Sequence, residues 1–237
     1  PARGVDGVML IPARESCAGD AAERLREDVA LVSCPVVLID RLTQCGWCDA
    51  VGFDNYLGGR LAAQYLLEGG HTRIGIVTGD TAESSAAERR RGFVDAVEQA
   101  GECFDSSLCV EGDYRFGSGY RAADQIIDGG ATAVFCCNDV MALGFRQRMA
   151  ERGLRVTEDM QVIGYDNILK RFGLGWRMTT VEQSVADLAA ACWGMLRERI
   201  DVAVRAKSGT ESGDARPWLS NPQVEVLTPK LVQAACA

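Results

Sequence analysis

At 237 residues, 47% of them hydrophobic, the chain has enough apolar material for two modest cores or one large one. Its 25 basic and 33 acidic residues leave a net charge of −8, which argues against this segment itself gripping nucleic-acid phosphates. No apolar run reaches the length of a bilayer span, no signal peptide is visible, and 26 glycines against 6 prolines suit short strand-to-helix turns.

The pattern predicts strand and helix in alternation from end to end, and hence parallel sheets flanked by helices. Val5–Ile11 is a continuous apolar strand stopped by Pro12, a helix covers about Ala18 to Leu31, and Pro35–Asp40 is the second strand. Ala50–Phe53 leads into a helix that Asn55 can cap, with Leu57, Leu61, Tyr65 and Leu66 on one face and Gly69-Gly70 as its stop. Then come strand Arg73–Thr78, a helix from about Ala86 to Ala100, and a short strand Ser107–Val110. Helix Gly117–Ile127, strand Ala133–Cys137, helix Val140–Glu151 and strand Met160–Tyr165 follow. Beyond an irregular aromatic segment lie strand Thr179–Glu182 and a long helix from about Val185 to Val204. Lys207–Ser220 reads as an exposed loop, and Gln223–Leu227 and Leu231–Ala234 as final edge strands. Glu68-Gly69-Gly70-His71-Thr72 marks a fresh series of strand–helix units, which implies two lobes with a cleft between them.

Three stretches carry the chemistry: Val51-Gly52-Phe53-Asp54-Asn55, Cys136-Cys137-Asn138-Asp139 and Val162-Ile163-Gly164-Tyr165-Asp166-Asn167. In each, apolar residues end abruptly in Asn and Asp, at the strand ends where an open α/β sheet binds ligands. Such side chains grip hydroxyls through directed donors and acceptors. The ten cysteines lack the character of a disulfide framework, and Cys136 and Cys137 point to opposite faces of a strand as small hydrophobes. Cys45-Gly46-Trp47-Cys48 has the spacing of a redox pair, which would make the protein a thiol oxidoreductase. It lies in a loop between strands, though, and there is no second such pair for zinc. His71, the single histidine, sits at a helix end with no nucleophile placed beside it, so its role reads as structural and no catalytic residue, cofactor or metal is expected.

In order and spacing, eight stretches resemble the effector-binding core of the lactose-repressor/galactose-repressor family of bacterial transcription regulators, which shares its type I fold with periplasmic sugar-binding proteins. They are Val5-Asp6-Gly7-Val8, Pro35–Arg41, Asp54–Ala62, Gly70–Gly75, Arg89-Arg90-Arg91-Gly92-Phe93, Asn138–Gly144, Val162–Asn167 and Thr179–Gln183. The resemblance implies two Rossmann-like lobes, the N-terminal one from 1–53 and 183–224 and the C-terminal one from 54–182 and 225–237. It further implies a ligand between them and a dimer whose head domain binds operator DNA. The family's helix-turn-helix and the first two strand–helix units have no counterpart here. The chain therefore reads as a piece of a longer protein, with roughly 60 further residues of this lobe expected before Pro1.

Placed on that pattern, Asp40 and Asp166 are expected to accept from ligand hydroxyls, Asn138 to donate and accept at once, and Arg89 is the ligand arginine, with Arg90 and Arg91 on a solvated face. Arg41 points either into the cleft or into solvent; Phe53 either stacks on a sugar ring or packs in the core; Tyr114 either lines the cleft or lies on the surface. Asp139 is expected to cap the helix after it. Leu143, Phe172, Leu174 and Trp176 form the apolar surface assigned to the dimer. The reading is a cytoplasmic, non-enzymatic effector domain for a sugar or related polyhydroxylated metabolite. The alternative is a periplasmic sugar-binding protein of a transporter, for which ten cysteines in an oxidising compartment would be a hazard.

Overall fold

The alternation of apolar strands and amphipathic helices resolves into two sheets. The computed structural model describes residues 4–13, 19–40, 46–169, 178–207 and 219–234. In chain order the elements begin with β1 (Val8–Leu10), α1 (Gly19–Leu31), β2 (Val36–Ile39) and β3 (Asp49–Phe53). They continue with α2 (Asn55–Glu68), β4 (Ile74–Thr78), α3 (Ser84–Gln99), a 3-10 turn (Ser106–Leu108) running into β5 (Cys109–Glu111), and α4 (Phe116–Asp128). Next are β6 (Ala133–Cys136), α5 (Asp139–Glu151), β7 (Gln161–Tyr165) and β8 (Thr180–Glu182). The chain closes with α6 (Val185–Lys207), β9 (Val224–Leu227) and β10 (Lys230–Val232).

Two compact units result, one from Pro1–Phe53 with Val185–Leu227 and the other from Asp54–Ser184 with Thr228–Ala237. The second division falls two residues later than the sequence suggests, and the third three residues later, where β9 keeps its pairing with β3 as far as Leu227.

The first unit is a parallel sheet in the order β1-β2-β3-β9. Side chains alternate across it: Val36, Leu38, Cys48 and Ala50 pack with Val29 of α1, while Val37 and Val51 pack with Cys192, Met195 and Leu196 of α6. One buried ion pair ties its far elements together, Arg199 of α6 to Asp49 of β3, with Nε–Oδ2 at 2.6 Å and Nη2–Oδ1 at 2.8 Å.

The second unit is a six-stranded sheet in the order β10-β8-β7-β6-β4-β5, parallel except for β10. Its core is aromatic at the centre, with Phe93 of α3 stacked on Phe135 of β6 at 5.5 Å and Phe135 tilted against Tyr165 of β7 at 6.1 Å. The chain goes from β4 outward to β5 and then returns to the other side at β6. The topological switch point, where such sheets bind ligands, therefore lies between the carboxyl ends of β4 and β6.

Two caps differ from expectation. Asp54, not Asn55, caps α2, its Oδ1 accepting from the Leu57 N–H at 2.7 Å. Asn138, not Asp139, caps α5, accepting from the Met141 N–H at 2.8 Å. In both cases the neighbour that the cap leaves over reaches into the site described next.

Candidate functional site

At the carboxyl ends of β6 and β7 the second unit buries a cation. Ala86, Arg89, Gly92, Phe93 and Ala96 make up the inward face of α3, so the helical register alone sends Arg89 inward and leaves Arg90 and Arg91 exposed. Arg89 is 6% exposed, and a buried charge needs partners. Its Nε donates to Asn55 Oδ1 at 2.8 Å, its Nη1 donates to the Cys137 carbonyl at 2.7 Å, and its guanidinium carbon lies over the Tyr165 ring. Nη2 stands 3.9 Å from Asp166 Oδ1, close enough to pair electrostatically and too far to hydrogen-bond. Burial alone would lower the pKa of this guanidinium, but Tyr165 and Asp166 more than offset it, and the group is held above the ordinary arginine range.

The glycine pair in α2 makes this arrangement possible. A Cβ on Gly58 would stand 2.1 Å from the Tyr165 hydroxyl, and one on Gly59 would stand 2.0 Å from the Arg89 carbonyl oxygen. Only bare backbone at both positions lets the ring and α3 approach together.

Asp166 and Asn167 follow β7 with left-handed φ values of 93° and 53°. The Asp166 N–H donates to the Val181 carbonyl at 2.8 Å, and the Asn167 amide to Glu182 Oε1 at 2.9 Å. Asp139 supports the same turn from below. It is 1% exposed, with Oδ2 accepting from the Ile168 N–H and Oδ1 from the Thr180 hydroxyl, both at 2.7 Å. Burial pushes its carboxyl up to about 6, the hydrogen bonds from Thr180 and Ile168 pulling the other way.

Asn138 has both ends of its amide engaged within the protein, since Nδ2 donates to the Tyr114 carbonyl at 2.9 Å while Oδ1 caps α5. Tyr114 is half-buried with φ at 63°, its ring lies against Gly79, and burial pushes its hydroxyl up to about 12. At the end of β4, the buried Thr78 Oγ1 has no hydrogen-bond partner among the described residues.

Asp40 and Phe53 end β2 and β3 in the first unit, Asp40 half-buried with φ at 73° and Phe53 5% exposed. Leu143 on α5 packs partly against the second core. Arg41, Phe172, Leu174, Trp176 and Cys45 fall outside the described residues. Cys48 is buried, its thiol donating to the Val36 carbonyl at 3.4 Å, and Cys136 and Cys137 are buried with their thiols pushed upward, as small core hydrophobes would be. His71 holds a turn, its backbone N–H on the Leu66 carbonyl and its Nδ1 3.0 Å from Thr132 Oγ1. Gln183 and Thr78 are not singled out by sequence reasoning, which names Asn55 and Tyr165 only within the stretches that end their strands.

A buried, charge-paired arginine at the carboxyl ends of neighbouring parallel strands puts polar groups where such sheets bind small molecules. Residues 63–215 match the family of periplasmic binding protein-like domains. The HTH-type transcriptional repressor PurR of Pasteurella multocida (strain Pm70) is 36% identical over 199 residues, covering 83% of this chain and 58% of that protein. Its namesake from Vibrio atlanticus (strain LGP32) is 35% identical with the same coverage, so the chain spans a little over half the length of these relatives. Among solved structures, a transcriptional regulator CelR–cellobiose complex superposes with a TM-score of 0.78 at 28% identity, over 99% of this chain and 67% of that one. A LacI family transcriptional regulator from Enterococcus faecalis V583 with bound ribose gives 0.77 at 25%, over 98% and 77%. The chain belongs to the periplasmic binding protein-like family.

Proposed function

We propose that this chain is the effector-binding domain of a bacterial transcriptional regulator. It senses a sugar or related polyhydroxylated metabolite and signals to operator DNA through a head domain outside the 237 residues. The observation that carries this reading is the placing of Arg89 at the carboxyl ends of β6 and β7 with Asp166 beside it. Adjacent hydroxyls on a ring each donate and accept. A fixed guanidinium supplies donors to them and a carboxylate supplies acceptors, and neither needs to change protonation. Tyr114 adds a hydroxyl on a ring, with Asn138 setting the backbone that presents it.

The reading involves no catalysis, since none of these groups forms a nucleophile–base pair. It includes a cytoplasmic homodimer joined through Leu143 and the apolar segment of Phe172, Leu174 and Trp176. Sedimentation of a Leu174→Asp, Trp176→Asp double variant should then shift towards monomer, and an intact dimer would exclude that surface.

A thermal-shift screen against neutral sugars (ribose and cellobiose first), sugar acids, sugar phosphates and purines tests the proposal. A true effector at a hundred times its Kd should stabilise the domain by about 2.7 kcal/mol, several degrees in Tm. No shift from any of these classes would remove the reading.

A further inference from the structure

The Arg89 site is wired to two of the three places where the chain passes between its two units. Asn55 stands two residues beyond the passage at Phe53–Asp54, and Gln183 two residues before the passage at Ser184–Val185. Although 128 residues apart in sequence, they meet: Gln183 Nε2 donates to Asn55 Oδ1 at 3.1 Å and to the Tyr165 hydroxyl at 3.3 Å. The same Asn55 oxygen accepts from Arg89 Nε at 2.8 Å and lies 3.4 Å from the Tyr165 hydroxyl. One carbonyl oxygen is thus the shared acceptor for the buried arginine, the tyrosine on which it stacks, and the glutamine of the return passage.

We propose that Asn55 and Gln183 are positioning residues of the effector site, and that Asn55 Oδ1 is the junction through which a displacement of Arg89 reaches the first and second chain passages. The physical requirement for such coupling is a contiguous set of contacts in which one bond shifts at the expense of another. Here the requirement is met within a single hydrogen-bonded group. A ligand that draws the guanidinium towards Asp166 stretches the Nε–Oδ1 bond. Asn55 Oδ1 then turns more fully to Gln183, and the 53–55 and 183–185 segments register the change together. The inference rests on the effector reading for its purpose, but its geometry is independent of any ligand.

The test is solution NMR of the 237-residue chain without any added compound, following the Arg89 Nε–H resonance and the backbone amides. In the wild-type chain that proton should be protected from solvent exchange. Asn55→Ala should accelerate its exchange at least tenfold and move the amide signals of Gln183 and Ser184. Asn55→Asp, which keeps the acceptor oxygen, should retain the protection. Gln183→Ala should shift both the Arg89 Nε–H signal and the amides of residues 55–57 while leaving the distant α4–α5 amides in place; should Asn55→Ala fail to fold, this variant and Asn55→Asp decide the matter. Unchanged Arg89 exchange in Asn55→Ala, loss of protection in Asn55→Asp, or shifts in Gln183→Ala confined to its own segment would each overturn the proposal. Because no effector enters the experiment, a failed ligand screen leaves this result standing, and a successful one cannot rescue it.

Discussion

The guanidinium carbon of Arg89 lies 3.8 Å from the centroid of the Tyr165 ring, and the ring is fully buried. Away from water such a cation–π contact is worth about 2 kcal/mol or more, because no solvent screens the attraction between the charge and the ring quadrupole. Tyr165→Phe keeps the ring face and loses only the hydroxyl, so effector affinity in calorimetry should stay within about threefold of wild type. Tyr165→Leu removes the face and should weaken binding roughly ten- to thirtyfold. Equal losses in the two variants would assign the role to the hydroxyl instead.

Asp166 is partly exposed on a left-handed turn, its Oδ1 3.9 Å from Arg89 Nη2. Asp166→Ala should remove charge-assisted hydrogen bonds worth about 1.5–3 kcal/mol and weaken effector binding tenfold or more, with the fold intact by circular dichroism. Unaltered affinity would strike Asp166 from the site.

The order of strands and helices is legible from residue pattern alone, whereas the separation of Arg89 from Arg90 and Arg91 is expected from the family resemblance and is carried out in the structure by the register of α3. The roles of Asn138 and Asp139 are not legible there. Either residue can cap α5, and the choice is made by Thr180 and Ile168, whose demand for a buried acceptor at position 139 comes from a strand pairing some 40 residues further on. The same holds for Asp54 and Asn55. Local composition allows both caps, and Arg89 together with Gln183 decides between them. Tyr165 reads as plain strand until Gly58 and Arg89 are seen on either side of it.

Asp139 gives the domain a defined pH signature. Its folded pKa of about 6 lies above the ordinary 3.8, so the folded chain binds the proton more tightly than the unfolded one. The stability this contributes is fully present below about pH 4 and is lost as pH rises through about 6. In denaturant titrations, the stability of wild type minus that of Asp139→Asn should therefore fall by up to about 2–3 kcal/mol across that window and stay flat above it. A difference that grows with pH would show the carboxyl is depressed, not raised.

Arg199 and Asp49 hold the first unit together from the inside, with side chains 14% and 4% exposed. Asp49 Oδ1 also accepts from the Gln223 N–H at 2.8 Å, and Arg199 Nη2 donates to the Asn221 carbonyl at 2.9 Å. Arg199→Ala strands a buried carboxylate and should cost about 3–5 kcal/mol, whereas an Arg199→Met, Asp49→Leu pair should recover much of that. A double variant no more stable than Arg199→Ala would locate the loss in packing.

The most direct test of the account is calorimetric titration of the ligand that emerges from the screen into wild-type protein and Arg89→Met, which keeps the aliphatic stem and removes the charge. The account predicts saturable one-site binding to the wild type and at least a hundredfold loss in the variant, with far-UV circular dichroism unchanged, because the donors that grip the effector are gone. Wild-type affinity in a folded Arg89→Met protein would contradict it.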